Sequence, residues 1–204
     1  MKKVKFTMLG LALAAAGSAQ AAGIGARIGT TGLGADVAWD LAPTLSARVG
    51  YSGGSVDHDV TTDITYHGKL KLQNLNTFLD FAPLGPLFRF TGGFIFNDNK
   101  FDVNTDPVNG GSISGTVKPS NSAAPYLGIG YGRVSGAGVN FYADLGVMYQ
   151  GSPKASLTAN CGTLSAGQCS ALQAQVANEQ AQLEDKLKNA KYYPVLNIGL
   201  TIGF

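Results

Sequence analysis

The stretch Leu33–Leu41, which reads LGADVAWDL, alternates in residue character along its whole length. Its odd-numbered positions are apolar, whereas Asp36 and Asp40 place charge on the even-numbered ones. Successive side chains of a β-strand point to opposite faces. The stretch therefore predicts a strand with one apolar face and one charged face.

The same period of two recurs in seven further segments after Ala22. The eight segments are Gly23–Gly29, Leu33–Leu41, Leu45–Ser52, Asn74–Phe81, Phe88–Asn97, Tyr126–Tyr131, Asn140–Tyr149 and Leu196–Phe204. The chain has 28 glycines in 204 residues and is 45% hydrophobic but only 14% charged, a balance that excludes a disordered chain. These features predict an all-β fold, an eight-stranded antiparallel transmembrane β-barrel. Leu70 and Leu72 fall on the opposite parity, which indicates a bulge near Gln73 or a strand that continues beyond the membrane.

The residues on the polar parity favour a membrane barrel over a soluble sandwich. Three arginines and four aspartates lie in mid-strand positions, whereas the lysines after residue 22 lie in predicted loops or at strand ends. A water-exposed sheet favours lysine, but an enclosed lumen favours paired charges, and the planar guanidinium group can bridge carboxylates. The predicted lumen residues are Arg27, Asp36, Asp40, Arg48, Asp80, Arg89 and Asp144.

The lengths of the connections predict the orientation of the barrel. The links near Pro43, Gly85 and Gly136 are short, while those after the third, fifth and seventh segments are long. Short periplasmic turns and long outer loops put both termini in the periplasm. In the last outer loop we expect a helix from Ser170 to about Asn189, whose apolar stripe packs on the barrel rim or on the neighbouring cysteine loop.

Residues 1–21 read as a secretory signal peptide, which leaves residues 22–204 as the outer-membrane barrel. Three lysines precede a short apolar run, and Ala19–Ala21 has the small residues of a cleavage site. Without that segment the chain has twelve basic and thirteen acidic residues, so the formal net charge changes from +2 to −1. Nucleic-acid partners are therefore not expected. Cys161 and Cys169 are expected to form a disulfide in an exported chain.

The carboxy-terminal residues resemble the signal that the outer-membrane assembly machinery reads. The residues that carry this likeness are Asn197, Gly199, Ile202 and Phe204. The expected partners are therefore the lipid of the cell outer membrane, the assembly machinery and small polar solutes.

Several stretches are similar to a known family of small outer-membrane barrels. They are Gly25–Arg27, Gly29–Gly32, Gly50–Gly54, Ala124–Gly128, Gly151–Lys154 and Tyr192–Val195. This family contains the carbapenem-associated ornithine-uptake porins. The resemblance implies passive entry of small, often basic amino acids and, for some members, of carbapenems. The loop between Cys161 and Cys169 and the helix after it depart from that pattern.

Two functions are compatible with these features. In a porin-like channel, the inward aspartates would receive a cationic amino acid such as ornithine, the arginines would hold its carboxylate, and inward glycines would leave space. In a closed structural or interaction barrel, the charges would pair with one another and the outer loops would bind partners. The glycines could then make room for Phe78, Tyr126 and Tyr142.

No enzyme activity, metal site or cofactor is expected. The two histidines are His58 and His67, and the attractive motif Asp57–Asp59 lies in a polar outer loop without a nucleophile. The glycine-rich stretch Gly128–Gly132 lies within a predicted strand and lacks the helix that a nucleotide loop requires.

Overall fold

The computed structural model describes residues 21–61, 65–105 and 110–204, and within these it describes no side chains for residues 58–61, 65 and 66. The predicted signal peptide thus lies outside the described residues except for its last position. The described chain contains eleven strands and one helix. No helix in these ranges is both long and apolar enough to cross a membrane.

Eight strands close into a ring. They are β1 (Ala22–Gly29), β2 (Gly32–Ala42), β3 (Leu45–Thr61), β4 (Thr65–Phe81), β5 (Phe88–Asn97), β8 (Ala123–Gly132), β9 (Gly138–Tyr149) and β11 (Tyr192–Gly203). Each pairs with the next in antiparallel register, and β11 returns to β1, where Ile28 lies opposite Ile198. The predicted eight-stranded antiparallel barrel is confirmed.

The two faces of the barrel follow the predicted parity. On β1, for example, Arg27 is 2% exposed whereas its neighbour Ile28 is 63% exposed. Large apolar side chains are exposed around the outside, and the buried positions include arginine, aspartate and asparagine. A surface of this kind is stable against lipid, because hydrocarbon neither hydrates charge nor penalises exposed leucine and phenylalanine.

A second sheet grows from the hairpin of β3 and β4 beyond the ring. At Gln73 the partner of β4 changes from β5 to β6 (Lys100–Thr105), while the register between β3 and β4 continues without a shift. The order of this outer sheet is β3, β4, β6, β7 (Ser112–Lys118) and β10 (Lys154–Asn160). The reversed parity at Leu70 and Leu72 is therefore a strand that continues beyond the membrane. The described residues of the long connections expected after the third and fifth segments are largely strands instead.

The helix α1 (Ala166–Leu187) lies in the last outer loop but begins earlier than expected. Ser165, not Ser170, caps it, in a reciprocal capping box with Gln168. The helix packs on β10 rather than on the barrel rim, and Val176 of the expected stripe is buried there. The predicted disulfide between Cys161 and Cys169 is confirmed and ties the start of the helix to the preceding turn.

Helix side chains also cover the free edge of β10. Glu184 Oε1 accepts from the backbone N–H of Ala155 at 3.2 Å, and Gln180 Oε1 accepts from that of Leu157 at 3.0 Å. An exposed strand edge is a template for unwanted pairing. The helix therefore closes one edge of the outer sheet. We use the name outer platform for β6, β7, β10, α1, the part of β3 after Gly53 and the part of β4 before Gln73.

Candidate functional site

Six of the seven predicted lumen charges meet in ion pairs inside the barrel. Arg27, Arg48, Arg89, Asp36, Asp80 and Asp144 are all at most 2% exposed. They come from β1 to β5 and β9, where the alternation of each strand turns them inward. The three arginines neutralise the three aspartates, as a low-dielectric interior requires.

The larger cluster joins two arginines to two aspartates. Arg48 Nη1 lies 2.7 Å from Asp144 Oδ2, and Arg48 Nε lies 3.2 Å from Asp80 Oδ2. Arg89 Nε lies 3.2 Å from Asp80 Oδ1, and its Nη2 contacts Asp144 Oδ1. Each carboxylate is thus bridged by both guanidinium groups, so the cluster spans the lumen from β3, β4 and β5 to β9.

A smaller cluster lies on the side of β1 and β2. Arg27 Nη1 lies 3.3 Å from Asp36 Oδ1, within ion-pair reach but without hydrogen-bond geometry. Arg27 Nη2 donates to Ser52 Oγ at 3.3 Å, and the Tyr142 hydroxyl donates to Asp36 Oδ2 at 2.5 Å. Because Tyr142 is on β9, this bond also crosses the lumen.

Asp40 lies apart from the other charges. Its Oδ1 accepts from the hydroxyls of Ser46 and Ser135, and it forms no ion pair within the described ranges. Three of the four predicted aspartates are therefore neutralised by the three arginines. The fourth, Asp40, lies at the periplasmic end beside a small cavity of about 180 Å³.

Aromatic rings fill the space around the guanidinium groups. The Cζ atom of Arg48 lies 5.2 Å from the ring centre of Phe78 and 5.1 Å from that of Tyr142, and the Cζ atom of Arg89 lies 5.4 Å from Tyr142. Cations at this distance from an aromatic face are attracted by its quadrupole.

Several inward glycines make room for these large side chains. A Cβ at Gly199 would lie 2.2 Å from the Tyr142 ring, and one at Gly146 would lie 2.5 Å from the Tyr126 hydroxyl. A Cβ at Gly130 would lie 2.5 Å from the Arg89 Cζ atom. These glycines therefore make room for a ring or a guanidinium group, as the second of the two interpretations predicts.

An apolar layer lies above the charges, toward the outer ends of the strands. Its buried members are Phe78, Ile95, Ala124, Tyr126, Met148 and Val195. Phe78 and Tyr126 contact at 4.8 Å between ring centres. Sequence reasoning missed four of the inward apolar residues. The signal was present, because Ile95, Ala124, Met148 and Val195 continue the inward parity of their strands.

The turn between β8 and β9 closes the periplasmic end. Val134 is buried there against Ala38 and Tyr142, and a Cβ at Gly23 would lie 2.7 Å from the Val134 carbonyl oxygen. The short link near Gly136 is thus confirmed as a turn, but it folds into the mouth of the barrel. Side chains occupy the lumen at three levels: the apolar layer, the ion pairs and this turn.

Of the motif Asp57–Asp59, the structure describes the side chain of Asp57 alone. Asp57 forms an ion pair with Lys69 at 2.9 Å, which ties it across the β3–β4 hairpin. The side chains of His58 and Asp59 lie outside the described residues. At the carboxy terminus, Asn197 and Gly199 face the lumen, whereas Ile202 and Phe204 face outward.

Comparisons with known proteins support the fold. No protein-family model and no curated protein matches the chain. Its structure is similar to the crystal structure of Acinetobacter baumannii CarO2, with a TM-score of 0.63 and 22% identity over 90% of this chain and 98% of that one. It is also similar to the crystal structure of A. baumannii CarO, with a TM-score of 0.61 and 23% identity over 89% and 97% of the two chains.

This similarity confirms the expected resemblance at the level of the fold. The chain has the fold of an outer-membrane β-barrel, and the apolar exterior around a charged interior places the barrel in the outer membrane.

Proposed function

We propose that this outer-membrane barrel is closed at rest and acts through its outer platform. The observation that carries the proposal is the filling of the lumen at three levels by Val134, the ion pairs and the apolar layer. An eight-stranded barrel has an interior just wide enough for its own side chains. Here those side chains are large and opposed across the ring.

Opening the lumen would require separating buried charges. Breaking a buried ion pair costs roughly 3–5 kcal/mol, because the partner charge stays in a low dielectric. Arg48 and Arg89 each contact both Asp80 and Asp144, so a solute at this level must replace several contacts at once. A permanent passage for solutes is therefore disfavoured.

The outer platform supports the binding part of the proposal. It is a folded unit and not a set of free loops: the sheet continues through β10, the helix has a capping box, and the Cys161–Cys169 disulfide fixes the turn before the helix. Folding such a segment costs conformational entropy that free loops would keep. A rigid scaffold that holds surface elements in one arrangement is a common basis for recognition. The proposal assigns no catalytic step, metal or cofactor to the barrel.

Passive permeation of small polar solutes, including basic amino acids such as ornithine, is the second candidate. The observation that favours it is a group of buried lumen atoms that lack a hydrogen-bond partner among the described residues. They are Asn74 Oδ1, Asn76 Oδ1, Tyr126 Oη and Thr201 Oγ1. Buried polar groups are normally satisfied by protein or by water, so these atoms favour a hydrated lumen in which small solutes could exchange.

One flux experiment separates the two candidates. The mature chain is reconstituted in liposomes, and swelling is scored with ornithine, lysine, glutamate and a neutral sugar of similar size. The closed barrel predicts swelling no faster than that of empty liposomes for all four solutes. Faster swelling with the cationic amino acids contradicts closure. In that case R48A/R89A with unaltered flux would exclude both arginines from the transport path.

A further inference from the structure

Three lysines carry positive charge to one part of the barrel rim. Lys118 on β7 and Lys154 on β10 are directly opposite each other in the antiparallel register. Lys191 precedes β11 and lines the same cleft as Lys154. All three are exposed, and none forms an ion pair within the part of the chain that the structure describes.

The cleft has the size and chemistry of a small-ligand site. Its volume is about 400 Å³, and it lies between the helix, the loop after β9 and the outer ends of the barrel strands. Ser120, Asn121 and Ser152 contribute polar side chains to its lining. The lining also contains one carboxylate, that of Glu184, whose Oε1 accepts from the Ala155 N–H. The lining thus contains two ammonium groups, those of Lys154 and Lys191, and one carboxylate, while Lys118 lies opposite Lys154 on the neighbouring strand.

Folding alone does not account for the opposed lysines. Like charges directly opposite on neighbouring strands destabilise a sheet. Lys186 and Lys188, by contrast, have a structural role: Lys186 lies in the last turn of the helix, where cations interact favourably with the free carbonyls, and Lys188 pairs with Asp185 at 2.7 Å. No carboxylate of the described residues forms an ion pair with Lys118 or Lys154, so these two charges are free to attract an anion from outside the chain.

The height of the cleft in the membrane identifies the source of that anion. Tyr149, which also lines the cleft, packs at a tilt against Tyr192 across the ends of β9 and β11, with 5.5 Å between ring centres. Exposed tyrosines at strand ends mark the level of the lipid headgroups. This end of the barrel carries the long connections and therefore faces outward. The cleft opens where the headgroups of the outer leaflet lie.

We infer that this cleft binds the phosphate group of a phosphorylated glycolipid in the outer leaflet. The ammonium groups of Lys118, Lys154 and Lys191 supply the charge, and the serine and asparagine side chains supply hydrogen bonds. Lysine acts on phosphate as a flexible point charge. The site is independent of whether the lumen conducts, and it rests on the outward orientation of the long connections.

The test measures lipid binding by the purified, folded full-length mature barrel in detergent, with native mass spectrometry as the readout. The probes are a diphosphorylated acyl-glucosamine disaccharide, the same lipid without phosphate, and inorganic phosphate. Each lysine near an anionic headgroup is worth about a fivefold change in affinity. K118Q/K154Q is therefore expected to bind the diphosphorylated lipid roughly 25-fold more weakly than the wild type, while K118R/K154R binds it normally.

The matched control is K186Q/K188Q, which removes two lysines at the end of the helix that neither line the cleft nor lie opposite another lysine. Unchanged binding in K118Q/K154Q, or an equal loss in the control, would overturn the site. Equal binding of the dephosphorylated lipid would overturn the role of phosphate. Displacement of the lipid by millimolar inorganic phosphate would identify a free-anion site and overturn the lipid assignment. Retained heat-modifiable migration in gels verifies that each variant is folded.

Discussion

Arg48 on β3 and Asp144 on β9 form an ion pair of 2.7 Å across the full width of the barrel, because these two strands are diametrically opposite in the ring of eight. Backbone hydrogen bonds already hold neighbouring strands together. A side-chain contact of this kind instead ties opposite walls of the barrel to each other. Both residues are buried, so the pair occupies the lumen at mid-height.

Replacing Arg48 should therefore destabilise the whole barrel. In R48M, the carboxylates of Asp80 and Asp144 lose one of their two guanidinium partners, and we expect a loss of about 3–5 kcal/mol in the free energy of unfolding. R48M/D144N should recover part of this loss, since it removes one of the uncompensated carboxylates. Urea unfolding in micelles, followed by the fluorescence of Trp39, measures both variants.

The matched control is R133M, which removes an exposed arginine from the periplasmic turn. It should change the free energy of unfolding by less than about 0.5 kcal/mol. Equal effects of R48M and R133M would mean that the ion pair does not hold the barrel together.

Gly199 should not tolerate a side chain. A Cβ there would lie 2.2 Å from the ring of Tyr142, so G199A should lower the free energy of unfolding by about 1–3 kcal/mol. In the Y142A background the same glycine substitution should lower the free energy of unfolding by less, because the opposing ring is gone. Gly92 faces outward, with its nearest contact at 3.6 Å, and provides the control G92A. A neutral G199A would contradict the tight fit of the ring.

The helix should protect the edge of β10. Q180L/E184L removes the acceptors for the N–H groups of Ala155 and Leu157, each worth about 0.5–1.5 kcal/mol. Hydrogen exchange at these two amides should accelerate, while amides of the barrel strands stay protected. Q175L serves as the control, because Gln175 contacts Glu179 on the helix and not the strand. Unchanged exchange in Q180L/E184L would contradict the edge-covering role.

The outer sheet should loosen in acid through Asp102. Hydrogen bonds from Lys71 and then Thr116 lower the pKa of this carboxyl from its ordinary value of 3.8. Its contribution to stability is complete above pH 3.8 and is lost as the pH falls through the lower folded-state pKa. Proteolysis of β6 and β7 by an acid-active protease should therefore rise on acidification from pH 5 to pH 3 in the wild type, and less so in D102N. An identical acid response in both would exclude Asp102 as the cause.

The barrel was predictable because lipid and lumen impose opposite requirements on alternate residues. Leu33–Leu41 contains the full pattern, and the inward position of residues such as Asp36 and Arg48 follows from it. The pairing of the charges could also be expected, since an enclosed charge requires a partner.

The outer platform was less predictable, since β6, β7 and β10 are short and face water. Their alternation is weak, and their pairing is set by the tertiary contacts of a neighbouring hairpin. The start of the helix was missed, although Ser165 and Gln168 carry the spacing of a capping box. The packing of rings against the inward glycines could not be predicted, because the same glycines are compatible with an open passage and with a neighbouring ring.

The most direct test of closure is the ionic conductance of single barrels in a planar bilayer, with a large open porin as the positive control. A lumen filled at the level of Val134, of the Arg48–Asp144 pair and of Tyr126 predicts no current steps from the wild-type barrel under conditions in which the control conducts. Reproducible steps of uniform size from the folded wild-type protein would contradict a lumen closed by its own side chains.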